Sequence, residues 1–178
     1  MSETPASPVF LVDAYSDPVI VRIEGRASFL NCSCLREFVQ RMLAEGKKRF
    51  VVDFQRCTSM DSTFLGLLAG IAIDLRKRKP EGGIVLARVG ARNLELIRNL
   101  GLHRLIPVDG SDLPAGTPGA GVPAGSGKDT PLSCGRQSEI DHARLVLEAH
   151  ENLVGVDESN RAKFQDVLTF MRSRVDQG

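Results

Sequence analysis

The sequence predicts an α/β fold: a mixed sheet of about four or five strands with helices packed on it, followed by a separate helical hairpin. Three observations carry this. Short β-branched runs alternate with stretches of helical spacing over residues 1–108. A Gly- and Pro-rich stretch then interrupts every periodicity, and two amphipathic stretches close the chain.

The elements follow in order. Val9–Val12 reads as a short strand, and Pro18–Glu24, closed by Gly25, as a second. Asp13–Asp17 between them supplies turn residues, which permits a hairpin. Leu35, Phe38, Val39, Met42 and Leu43 fall on one helical stripe, with Asn31 as the expected N-cap and Gly46 as the C′ residue. Phe50–Phe54 is a buried strand. A nearly all-apolar helix is expected from about Ser62 to Lys79, and Gly66 and Gly70, one turn apart, mark a face for tight packing. The basic run Arg76–Lys79 suits the negative end of that helix, and reads as a solvated terminus rather than a nucleic-acid patch. Ile84–Val89 is the next strand, Ala91–Leu100 the third helix, and Arg104–Val108 a last short strand. Strands joined by helices of this length imply crossovers and a largely parallel inner sheet.

Composition divides the chain. Asp109–Gly135 holds seven Gly and four Pro in 27 residues and no aromatic, so it has little to bury and is expected to be a flexible linker. This gives a domain at 1–108, a linker at 109–135 and a helical element at 136–178. Residues 1–108 carry 16 Lys/Arg against 11 Asp/Glu, the linker one against three, and the tail six against eight, for an overall +1 over 178 residues. So small an excess argues against direct nucleic-acid binding. No apolar run reaches the roughly 18 residues of a membrane span. Met1-Ser2-Glu3-Thr4-Pro5 has neither the basic start nor the apolar run of a secretory signal. Four cysteines are too few for a disulfide scaffold. A cytoplasmic setting is the expectation.

The densest chemistry lies at Val51–Gly66, where a strand is expected to end, a short loop to pass and Met60-Asp61-Ser62-Thr63 to open a helix. Asp61 or Ser62 is the expected N-cap, beside free backbone N–H groups and the positive end of the helix dipole. On the pattern alone this is a good cap.

The stretch FVVDFQRCTSMDSTFLGLLAGI resembles the signature of STAS domains, in particular the bacterial anti-sigma factor antagonists. Val19–Gly25 with the Asn31–Leu43 helix, and GARNLELIRNLGLHRLIPV, are similar to the family's flanking elements in the same order, over about residues 8–108. The resemblance implies a STAS-like sheet and a non-enzymatic partner switch. The antagonist binds an anti-sigma factor that is also a serine kinase and frees a sigma factor, and phosphorylation of the serine after the motif aspartate releases it. That position is Ser62, with Thr63 the second hydroxyl, and the implied partner surface is Ser28, Asn31, Asp61, Ser62, Thr63 and Phe64. A phosphate adds about −1.5 to −2 charge, so one small group can switch an interface. Two positions depart from the family. Phe64 stands where a Gly is usual, and Ser28 replaces an acidic residue of the Gly25–Ser28 turn. Stressosome-like scaffolds and lipid-transport accessory subunits also use STAS domains, so a constitutive scaffold or assembly subunit is the alternative.

Other groups carry less. Cys32-Ser-Cys34 opens a helix, where a thiol pKa can fall, but a redox or zinc site needs Cys57 and Cys134 to converge with it, and C-x-C without a nearby His is a poor zinc signature. His142 and His150 lie two turns apart on one tail face and read as solvated or interface residues. No metal, cofactor or catalytic constellation is indicated, and GGIVLARVG lacks the Lys and spacing of a phosphate loop. In the tail, Ser138–Asp141 resembles a capping box. Ile140, Ala143, Leu147, His150 and Val154 form one seam ended by Gly155, and Phe164, Val167, Leu168, Met171 and Val175 form a second. This αα-hairpin must dock on its own domain, form a homodimer or bind a partner, because it is too small to bury both faces alone.

Overall fold

The computed structural model describes residues 9–108 and 122–178. The readings of the N-terminus and of linker residues 109–121 fall outside them. The sheet has five strands in the order β4-β3-β2-β1-β5. β1 (Phe10–Asp13) is antiparallel to β2 (Val19–Ala27), with Phe10 opposite Ile23. The turn between them is held by Asp13 Oδ1, which accepts from the backbone N–H of Tyr15 (3.1 Å) and Ser16 (3.2 Å). An Asx turn of this kind closes the hairpin.

β2, β3 (Arg49–Met60) and β4 (Gly83–Ala87) are parallel, and α1 (Cys32–Ala44) and α2 (Ser62–Lys77) make the crossovers between them. β2 runs past its expected end at Gly25. That glycine has φ +88°, and the β2–β3 register shifts between it and Arg26, so it is a bulge rather than a stop. α1 ends as expected, with Gly46 at φ +89°.

The core joins the sheet to α2. Phe64 is fully buried, stacked on Phe10 (centroids 6.1 Å apart) and edge-on to Phe54 (6.4 Å). After β4, α3 (Ala91–Asn99) leads into a 3₁₀ turn at Leu102–Arg104. The expected last strand Arg104–Val108 is reduced to one bridge, Leu86 with Val108. Pro107 supplies the acceptor for Leu86 N–H (3.0 Å) but has no N–H of its own, so the ladder cannot extend.

Residues 122–135, expected to be a linker without structure, are laid along the sheet edge. β5 (Thr130–Pro131) pairs antiparallel with β1. Ser126 donates to Asp13 through both its N–H and its hydroxyl (2.6 Å each), Leu132 N–H donates to Phe10 O (3.0 Å), and Cys134 forms a disulfide with Cys34 of α1. Composition measures apolar burial alone. This segment is held by backbone pairing, a buried carboxylate and a covalent bond instead.

α4 (Glu139–Val156) and α5 (Asn160–Asp176) form the expected hairpin. Ser138 caps α4, accepting from Asp141 N–H (3.1 Å). Gly155 does not break the helix, and the buried seam is rotated from the expected one, with Leu145, Val146, Ala149 and Leu153 inward beside Ala143, His150 and Val154. The seam turns because α4 packs on α2 along one face and on α5 along another. The hairpin therefore docks on its own domain.

Candidate functional site

The site grows from the β3–α2 junction. Asp61 is the N-cap of α2, and its Oδ1 accepts from Phe64 N–H (2.9 Å). Its Oδ2 accepts from Phe29 N–H (2.8 Å), and its own N–H donates to Ala27 O (3.2 Å). One carboxylate thus caps the helix and pins the β2–α1 loop, because the loop arrives beside the helix start with a free N–H.

That loop is built by Ser28 and Asn31. Asn31 precedes α1, but its side chain turns backward. Oδ1 accepts from Ser28 N–H (3.0 Å), and Nδ2 donates to Arg26 O (3.1 Å). It does not cap the helix as the sequence suggested, because the tight turn at Ser28 offers it a nearer N–H. Ser28 is 4% exposed and its Oγ accepts from Leu30 N–H (3.3 Å). The turn pushes Phe29 and Leu30 outward, 40% and 73% exposed.

Ser62 is the first residue of α2 and is half-buried. Its Oγ lies 2.8 Å from His150 Nε2 of α4, 88 residues away. His150 Nδ1 lies 2.7 Å from Val146 O. A carbonyl can only accept, so Nδ1 carries a proton and, in the neutral ring, Ser62 donates to Nε2. The ring is 3% exposed and stands edge-on to Phe164 of α5 (4.8 Å). Around it the helices meet at backbone range. A Cβ on Gly66 would come within 2.8 Å of Ala149 Cα, and Asn152 Nδ2 donates to Gly66 O (3.2 Å). Gly66 and Gly70 do mark a close-packed face, and its occupant is α4.

The six residues expected at the partner surface are therefore brought together but not equally exposed. Asp61, Ser62 and Asn31 reach solvent in part. Ser28, Thr63 (4% exposed) and Phe64 are buried. Phe64 in particular faces the sheet rather than a partner: α2 is covered by the sheet on one side and by α4 on the other, so Thr63–Ala69 are all buried and Phe64 falls on the sheet side, against Phe10 and Phe54. Sequence reasoning missed the pairing of His150 with Ser62 and the outward Phe29–Leu30. The sequence places His142 and His150 two turns apart on one tail face, but no local pattern relates either to α2.

The thiols correct a second expectation. Cys32 donates to Ser28 O (2.9 Å) and is buried. Burial, with the Asp61 charge adding to it, pushes this thiol up rather than down. Burial likewise raises Cys57. Cys34 and Cys134 do converge, as a disulfide. Among the described residues no group of three or more His, Cys, Asp or Glu is placed to hold a metal ion, and no helix is long and apolar enough to cross a membrane.

The family described as "Mlab, STAS domain" has a model that matches residues 10–107. Among solved structures, the anti-sigma factor antagonist SpoIIAA in its unphosphorylated form is similar at 19% identity, over 50% of this chain and 81% of that one, with a TM-score of 0.45. None of the curated proteins matches the chain.

Proposed function

The chain belongs to the STAS-domain family, and on that premise we propose that it is an anti-sigma factor antagonist, a partner-switching regulator controlled by phosphorylation of Ser62. It binds an anti-sigma factor that is also a serine kinase, and so frees a sigma factor in the cytoplasm. It acts by association rather than catalysis. The observation that carries the reading is the position of Ser62. It is the first residue of α2, directly after a carboxylate cap that also holds the exposed Phe29–Leu30 loop. Phosphoryl transfer forms an Oγ–P bond as the bond from phosphorus to ADP breaks, and the hydroxyl proton leaves to a base. The product dianion sits where backbone N–H groups favour it but beside the Asp61 carboxylate. An apolar partner surface seated on Phe29 and Leu30 would then meet a charge it cannot solvate.

The test incubates the full chain with a cognate kinase and ATP and maps the phosphate by mass spectrometry. Partner capture is compared for wild type, Ser62→Ala and Ser62→Asp. Phosphate at Ser62, with capture kept by Ser62→Ala and lost by Ser62→Asp, is the expected result. No modification and equal capture by all three would sink the switch. That second outcome is what the alternative reading expects, a constitutive STAS scaffold or accessory subunit. The bond that occupies Ser62 Oγ without any modification favours it.

A further inference from the structure

The hairpin α4–α5 covers the face of α2 on which Ser62 lies. Leu145, Ala149 and Leu153 are buried in the contact, and Leu153 is wholly inaccessible. The imidazole of His150 stands on the Ser62 oxygen, with both ring nitrogens bonded and Phe164 behind it. The ring thus occupies one approach to the Ser62 oxygen. A partner surface that reads α2 meets the hairpin first.

The contact is held at a few polar points around that apolar centre. Arg36 of α1 pairs with Glu148 (2.9 Å). Asn152 donates to Gly66 O. At the far end Asn160 Nδ2 donates to Leu100 O (2.9 Å), and Lys163 Nζ donates to Asn99 O (2.7 Å). Units of one chain can open locally at a free energy below that of global unfolding. The root of the hairpin stays attached through Cys134 to Cys34 of α1, so an opened hairpin remains beside its seat.

We infer that α4–α5 is an autoinhibitory clasp, which occupies in cis the α2 face that a kinase or partner takes and frees the Ser62 hydroxyl from His150 when it lifts away. This rests on the reading of Ser62 as the switch residue. A ligand that binds only the open form has its apparent affinity reduced by the open fraction, so a clasp open about 1% of the time weakens partner binding about 100-fold.

The experiment uses the full chain carrying Ser62→Cys, labelled with N-ethylmaleimide and mapped by mass spectrometry. It is repeated with Leu153→Ala, which weakens docking from the hairpin side, and with Gly66→Ala, which forces α4 off α2. Cys32 is a built-in control: it is buried in the domain core and labels only if the domain itself unfolds. The expected result is slow labelling of the introduced thiol, at least tenfold faster in both variants, with Cys32 protected throughout. Labelling at the rate of the urea-unfolded chain before any loosening would overturn the clasp. So would unchanged protection in both variants, because the shield would then be the domain rather than the hairpin. If Gly66→Ala exposes Cys32, Leu153→Ala alone decides. Kinase treatment separates the two readings. Ser62 phosphorylated equally fast in wild type and Leu153→Ala refutes the clasp and spares the switch. A hairpin-gated thiol with no phosphorylation in any variant refutes the switch and upholds the clasp.

Discussion

Removing the Asp61 carboxylate tests whether one side chain both starts α2 and positions the β2–α1 loop. Asp61→Ala deletes two acceptors, those for Phe64 N–H at 2.9 Å and Phe29 N–H at 2.8 Å. Loss of an N-cap costs about 1 kcal/mol, within roughly 0.5–2. The second bond has a charged acceptor but lies at an exposed edge, so it is worth about 1 kcal/mol. A carboxylate at a helix N-terminus adds roughly 0.3–1 kcal/mol. The sum is about 2–3 kcal/mol for Asp61→Ala. Asp61→Asn keeps the cap, since Asn caps as well as Asp, but its amide nitrogen cannot accept from Phe29. It should lose about 1–2 kcal/mol. Urea unfolding followed by far-UV circular dichroism measures both, at constant salt. In a chain of this size Tm falls about 2–4 °C per kcal/mol. Amide exchange at Phe29 should quicken in both variants, and at Phe64 only in Asp61→Ala. If Asp61→Ala lies within 0.5 kcal/mol of wild type, or the two variants are equally stable, the double role of Asp61 is wrong.

Other outcomes follow from the same coordinates. Phe64→Ala opens a cavity between Phe10 and Phe54 and should cost about 3–5 kcal/mol by denaturant unfolding; a loss under 1 kcal/mol would contradict its placement in the core. Burial opposes the charge of Asp13, but the bonds from the Ser126 hydroxyl and N–H, with those from Tyr15 and Ser16, outweigh it and hold the carboxyl below its ordinary range. A carboxyl depressed in the folded state contributes stability above its unfolded value of about 4, and that stability drains as pH falls through the lowered folded value. Thermal melts of wild type and Asp13→Asn should therefore differ at pH 7 and converge near pH 2. Reducing the Cys34–Cys134 bond, which spans 100 residues, releases the closure of a long loop, worth up to about 4–5 kcal/mol in the chain-entropy view. Melts with and without a thiol reductant, with the Cys34→Ser and Cys134→Ser double variant as reference, measure it.

Much of the domain was legible because its signals are local. The stripe Leu35–Leu43, the stop at Gly46, the cap at Asp61 and the Ser138 box each depend on neighbours within about one helical turn. Their observed geometry departs mainly where two local options competed, as when Asn31 bonds back to Ser28 rather than forward into α1. Gly25 shows the other limit. A glycine with φ +88° is equally a terminator or a bulge, and only pairing with β3 decides which.

The sequence by itself determined the STAS-like order of strands and helices, the hydroxyl at the start of α2 and the existence of a C-terminal hairpin. Tertiary structure alone decided that Phe64 faces the sheet, that residues 122–135 complete a sheet edge, and that His150 closes over Ser62. The physical reason is range. Helical period and capping arise from bonds within about four residues, while the Ser62–His150 contact is set by a helix packing angle and a glycine-sized gap between segments 88 residues apart.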